Sequence, residues 1–247
     1  MSDMEEWVKA TTEGAKLATT VVEKVSNVPG FIAKYIDEPL MELAGKWVDN
    51  RKFDRWENLV KIQDKVNAIL KERGCKTLRM ITPKLGIPLI DQALLEDNDD
   101  LREIWCKLIA NSLDPNINVE FHYAYIDIIK NLTPLDAKVL EFAYHETLRK
   151  VDTVNQESIK MYMSKIVVKL ETIYKYLNVH EEELTISYHN LMRVECLRYF
   201  GQQSSIVVGE DETVPSMLND PMWVAITPLG IALVEACMET NELEGRD

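Results

Sequence analysis

The chain has 247 residues and a formal net charge of −13, and 46% of its residues are hydrophobic. This composition favours a folded protein with a sizeable apolar core over a disordered chain. The four cysteines have no spacing typical of a metal site, and the acidic start predicts no secretory signal. No apolar stretch reaches the roughly 18 residues that a membrane-spanning helix needs. We therefore expect a cytoplasmic protein.

The negative charge is unevenly distributed along the chain. Between Lys46 and Lys84, eleven Lys and Arg stand against five Asp and Glu, and we call this segment the basic region. A basic region can contact an anionic partner such as nucleic acid or lipid headgroups. Its acidic residues lie at spacings that suit helical ion pairs, which favours a solvated helix face. The residues predicted to contact any anionic partner are Lys52, Arg55, Lys61 and Lys65.

The sequence pattern of the first two thirds of the chain predicts a series of helices. Residues 1–50 are predicted to form an amphipathic helical segment, because apolar residues recur at helical spacing among lysines over 20–48. A helix runs from Trp56 to a stop at Arg73-Gly74, and another begins at Thr82-Pro83. Carboxylates at 96–100 favour a helix start over a calcium loop. Further helices are predicted over 101–113, with Trp105 in the core, over 119–132, and from Thr133-Pro134.

The last third predicts a different order of elements. A long helix over 157–177 and a second over 185–194 precede a strand at 196–200, an acidic loop at 201–221, a strand at 222–226 and a helix from Thr227-Pro228. This order is typical of a winged helix with a two-stranded wing. The predicted fold is mainly α: a helical N-terminal region followed by a winged-helix-like module. The predicted domains are 1–50, 51–150 and 151–247.

The sequence contains no recognisable catalytic constellation. It has no nucleophile elbow, phosphate loop, dinucleotide fingerprint or His-Glu-x-x-His, and its four histidines are scattered. The Asp136-Ala-Lys138 triplet resembles part of a nuclease site, but a helix start explains Asp136. We therefore predict no catalytic, metal-ligating or cofactor-binding residues, and the sequence favours a protein that is not an enzyme.

Specific DNA binding by the C-terminal module is not favoured either. The segment 181–198 carries Arg193 and Arg198 against four glutamates, and the predicted wing adds acidic residues and no cation. Phosphates would be repelled from both of the elements that usually contact DNA.

The chain resembles the abortive infection alpha family of bacterial phage-defence proteins. The resemblance covers roughly residues 35–240. It is carried by Arg55-Trp56-Glu57-Asn58-Leu59, by Asn190-Leu191-Met192-Arg193, and by the segments 101–113, 128–138 and 226–237. The chain departs from the family pattern at Val194-Glu195-Cys196, where a small Gly-rich turn is expected. The resemblance implies phage defence by growth arrest or death of the infected cell, and it implies no catalytic residues.

Three classes of function remain open. The sequence favours a non-enzymatic defence component that binds a protein partner or a second copy of itself, with no small-molecule substrate. The alternatives are a membrane-active effector that uses the N-terminal amphipathic segment, and a nucleic-acid binder that uses the basic region.

Overall fold

The computed structural model describes residues 50–118, 121–150, 163–200 and 223–238. In these ranges the chain is mainly helical. The elements are α1 (Asn50–Glu72), α2 (Pro83–Ala93), α3 (Asp99–Leu113), α4 (Tyr123–Ile129), α5 (Pro134–Lys150), β1 (Val168–Lys169), α6 (Leu170–Leu177), α7 (Glu181–Arg193), β2 (Leu197–Phe200), β3 (Trp223–Ile226) and α8 (Pro228–Cys237). Residues 1–49 of the predicted N-terminal amphipathic segment and the whole of the predicted acidic loop at 201–221 lie outside the described residues.

The chain divides into two compact units, residues 1–126 and 127–247. The division falls within the residue range of α4. The three predicted domains stay a prediction.

In the first unit, α1 and α2 both pack against α3. The predicted apolar stripe of α1 is buried at Leu59, Ile62, Val66 and Leu70. The helix stops as predicted, because Gly74 adopts a left-handed conformation with φ of +67° and the next amide bonds back to the Leu70 carbonyl. Trp105 of α3 is fully buried, which confirms it as a core anchor.

The predicted start of α3 is confirmed in detail. The Asn98 side chain accepts a hydrogen bond from the Leu101 amide, and Asp99 and Asp100 occupy the first turn. These carboxylates lie at the positive end of the helix dipole, as the sequence indicated. The helix predicted over 119–132 is shorter than expected, since α4 covers only Tyr123–Ile129. Tight turns at Asn131 and Leu132 lead from it into the Thr133-Pro134 start.

In the second unit, α5 packs against α6, α7, α8 and the sheet. The sheet is antiparallel with strand order β1-β3-β2, so the strand that comes last in sequence lies in the centre. Val224 of β3 pairs with Val168 on one side and with Tyr199 on the other. The two predicted strands at 196–200 and 222–226 are confirmed as β2 and β3.

The prediction of one long helix over 157–177 is wrong. The chain is extended at Val168–Lys169, and these two residues form β1 before α6 begins at Leu170. The sheet therefore has three strands, whereas the sequence predicted two. Val168 is completely buried against β3, 56 positions away in sequence. Local periodicity does not reveal such a distant pairing, and this pairing overrides the helical spacing of the neighbouring apolar residues.

Candidate functional site

The histidines do not come together in a catalytic arrangement. His122 and His189 are exposed and lie against Tyr125 and Tyr188, respectively, while His145 is buried on α5. Among the residues that the structure describes, no group of three His, Cys, Asp or Glu could hold a metal ion. In the same ranges, no helix is both long enough and apolar enough to cross a membrane.

All four cysteines are free thiols. Burial raises the pKa of both Cys106 and Cys196 to about 12. The pKa of Cys75 is also raised, by partial desolvation and by the nearby carboxylate of Asp114. Since the thiolate is the nucleophile, these three thiols are poorly suited to covalent catalysis at neutral pH.

The Asp136 carboxylate is a structural acceptor at the start of α5. Its Oδ2 accepts from the Thr133 amide at 2.7 Å, and the Thr133 hydroxyl accepts from the Asp136 amide at 3.2 Å. This reciprocal pair is a capping box with Asp in place of Glu. Lys138 is exposed, whereas Asp136 is buried, so the two do not form a nuclease-like pair.

The same carboxylate joins α5 to α7. Ser187 donates to Asp136 Oδ1 at 2.6 Å, and the Asn190 amide donates to Oδ2 at 2.8 Å. Asn190 also donates to the Asn131 carbonyl at 2.9 Å. A buried carboxylate needs such donors, because an unpaired buried charge is costly. The segments around Asp136 and Asn190, which both carry the family resemblance, are therefore linked by hydrogen bonds to the Asp136 carboxylate. We call this link the Asp136 joint.

Three of the basic residues that the structure describes on α1 are paired with carboxylates. Arg55 lies 3.2 Å from Asp91, Lys61 lies 2.8 Å from Glu57 and Lys65 lies 3.4 Å from Glu103. Lys52 is also on α1, but its side chain lies outside the described part of the structure. The predicted anion contacts at these four residues stay a prediction, and the ion pairs compete with any anionic partner at three of them.

The outward face of α7 was not predicted as a functional feature. Glu182, Ile186, His189 and Arg193 are exposed at successive helical turns, and Ile186 is 72% exposed. The Arg193 guanidinium is held against the Asn190 side-chain oxygen at 2.8 Å. Sequence reasoning did not single out Ile186, although its position outside the apolar stripe of the helix is a signal that could have identified it.

Aromatic residues of β2 and α7 lie close to one another. Tyr199 on β2 is 50% exposed, and Tyr188 stacks on His189 with ring centroids 4.3 Å apart. Burial and the neighbouring Tyr199 phenol both raise the pKa of Tyr188. Arg198 of β2 donates to the Ser164 carbonyl. Both arginines of segment 181–198 thus bond within the protein. Glu182, Ile186 and His189 lie on the outward face of α7, and Glu183 of α7 and Tyr199 of β2 are also exposed. We call these five exposed residues the interaction face.

A cleft of about 520 Å³ lies between α5 and α6. Its lining includes Phe142, His145, Glu146, Leu148, Arg149, Thr172 and Tyr176. Burial tends to raise the pKa of Glu146, but hydrogen bonds and charge from Arg149 and Lys150 outweigh it and hold that pKa below its ordinary value. Glu146 is therefore an ionised partner of two cations and is not suited to act as a general acid.

A family model described as "Abortive infection alpha" matches residues 57–237, nearly three quarters of the chain. The match includes both the Asp136 joint and the interaction face. Comparisons with curated proteins and with solved structures give no match.

Proposed function

The chain belongs to the abortive infection alpha family, and this membership suggests a role in phage defence. We propose that it is a non-enzymatic defence component that binds a protein partner through the interaction face on α7 and β2. The observation that carries this proposal is the 72% exposure of Ile186 within a face of mixed aromatic and acidic residues. All four cysteines are free thiols, which fits action in the reducing cytoplasm.

The second unit supports a winged-helix interpretation of this face. Its order is α5, β1, α6, α7, β2, β3 and α8, with residues 201–222 joining the last two strands. In this interpretation α7 corresponds to the recognition helix of a helix-turn-helix protein. The interaction face would then occupy the position that contacts DNA in such proteins.

The charge of α7 argues against DNA as the partner. Three glutamates occupy its first turn, and its last turn holds one arginine, Arg193. That arginine is held by Asn190, and Arg198 on β2 is held by the Ser164 carbonyl. Affinity for DNA depends mainly on cations that displace counterions from phosphate. A surface with excess carboxylate lacks this contribution.

A protein partner suits the same surface well. Ile186 has glutamates one turn before it and His189 one turn after it, which gives an apolar centre with a polar rim. Tyrosine and histidine rings add contact area at little cost in side-chain entropy. Burying the exposed part of Ile186 contributes on the order of 1–2 kcal/mol. The glutamates favour a partner with a basic rim.

The test is a phage challenge of bacteria that express the chain. We expect Ile186→Asp to abolish protection, because it places a charge at the centre of the contact. The matched control is Leu95→Asp, since Leu95 is an exposed aliphatic residue of the first unit with 59% exposure. Circular dichroism should show both variants folded. Full protection by Ile186→Asp would refute the proposal.

A photo-crosslinking residue at position 186 tests the contact directly. In infected cells we expect a discrete crosslinked protein from position 186 and none from position 95. Crosslinks to nucleic acid from position 186 would contradict the proposal, as would equal crosslinking from both positions.

A further inference from the structure

The connection between α1 and α2, residues 73–82, exposes two large apolar side chains. Met80 is 70% exposed and Leu78 is 41% exposed. The chain is neither helix nor paired strand at these positions. We call this connection the α1–α2 loop.

Arg79 fixes the orientation of the loop. Its amide donates to the Leu113 carbonyl at 2.6 Å, and its guanidinium donates to the Ile117 carbonyl at 2.7 Å. With Arg79 bound at the end of α3, its neighbours Leu78 and Met80 remain exposed on either side of it. The apolar pair is therefore held on the surface by the fold.

Three exposed lysines accompany this pair. Lys71 is in the last turn of α1, Lys76 lies within the loop and Lys84 is in the first turn of α2. None of the ion pairs found among the described residues involves these three lysines, whereas Arg55, Lys61 and Lys65 on α1 are each paired with a carboxylate. Among the described residues of the basic region, these unpaired lysines lie within the α1–α2 loop or within two residues of its ends.

We propose that the α1–α2 loop docks on an anionic phospholipid surface. Met80 and Leu78 enter the interface between headgroups and acyl chains, and Lys71, Lys76 and Lys84 contact the lipid phosphates. Peripheral binding of this kind combines buried apolar area with attraction between lysines and anionic lipid.

A lipid surface fits the loop better than single-stranded nucleic acid does. Nucleic-acid binders present aromatic rings on which bases stack. The two exposed apolar side chains of the loop are an aliphatic and a thioether chain instead. This proposal uses the first unit and is independent of the interaction face in the second.

The test is co-sedimentation of the full chain with vesicles of phosphatidylglycerol and phosphatidylcholine, compared with vesicles of phosphatidylcholine alone. We expect binding only to the anionic vesicles, with affinity falling as salt rises. Replacing Lys71, Lys76 and Lys84 together by Gln should weaken binding about 100-fold, at about fivefold per lysine. The charge-matched control replaces the paired residues Lys130, Lys150 and Lys175 of the second unit by Gln, and it should change affinity less than about threefold.

A second pair of variants tests the apolar contribution. Leu78→Asp with Met80→Asp should reduce vesicle binding at least about tenfold, while Leu95→Asp with Ile186→Asp should leave it unchanged. Both pairs change exposed residues, and thermal melts confirm that the variants fold. Equal losses in the loop variants and their controls would overturn the proposal. The proposal would also be overturned if the wild-type chain did not bind anionic vesicles, or if it bound a single-stranded oligonucleotide more tightly than these vesicles.

Discussion

Replacing Asp136 by Ala should destabilise the second unit strongly. The carboxylate is buried and accepts three hydrogen bonds, from the Thr133 amide, Ser187 and Asn190. Loss of the capping box costs about 1 kcal/mol. The buried Ser187 hydroxyl loses a charged acceptor, which costs about 1.5–3 kcal/mol. Asn190 keeps its bond to Asn131, so its loss is about 0.5–1 kcal/mol. The total is about 3–5 kcal/mol.

Urea denaturation followed by far-UV circular dichroism measures this change as a lower midpoint at constant slope. Asp136→Asn should cost only about 1–2 kcal/mol, because its oxygen can accept from Thr133 and Asn190 while its amide donates to the Ser187 hydroxyl. The control is Asp127→Ala, which removes an exposed ion pair with Lys130 and should cost less than about 0.5 kcal/mol. A loss below about 1 kcal/mol in Asp136→Ala would show that the joint does not stabilise the unit.

The remaining predictions concern four other positions. Gly230→Ala should cost about 3 kcal/mol or more in urea denaturation, because a Cβ there would lie 2.3 Å from the Cys196 carbonyl oxygen and backbone would have to move. Glu195→Gly should stabilise the protein by about 0.5–1 kcal/mol in the same assay, since Glu195 has a left-handed φ of +59°; a loss of stability would contradict this reasoning. Trp105→Ala should cost about 3–5 kcal/mol by the same measurement. The pKa of Glu146 is lower in the folded protein than its unfolded value of 4.5. Its ionised form therefore stabilises the fold at pH values above 4.5, and this stabilisation is lost as the pH falls through the folded pKa. Glu146→Gln should therefore flatten the acid side of the stability–pH curve, by at most about 1 kcal/mol.

Much of the helical architecture could be predicted from the sequence because helix starts and stops are local signals. The structure has these helix ends at the positions that the sequence predicted. They are the Arg73-Gly74 stop, the carboxylates in the first turn of α3 and the Thr-Pro starts. β1 was missed because two residues carry too little local pattern. Its conformation depends on pairing with β3, more than 50 positions away. A propensity argument cannot weigh a partner at that distance.

The candidate surfaces show the same limit. Sequence counting identified the excess of cations in the basic region, but it could not show which cations pair with carboxylates. On α1 the partners of Arg55 and Lys65 come from α2 and α3, and these pairs form only when the helices pack. The exposed apolar residues Ile186 and Met80 were missed for a related reason. Exposure is a property of the folded chain, and an apolar residue in a sequence is by default assigned to the core.

The residues that carry the family resemblance serve structure at several points. Thr227 accepts from the Gly230 amide and donates to the Glu195 carbonyl, so the second Thr-Pro signature joins α8 to the start of β2. The first signature joins α5 to α7 through Asp136. Both joints support the helix and strand that present the interaction face. The Ile186 side chain takes no part in these hydrogen bonds, so its replacement leaves every one of them in place. Loss of phage protection in a folded Ile186 variant would therefore report on partner binding, whereas loss in an Asp136 variant would report on folding.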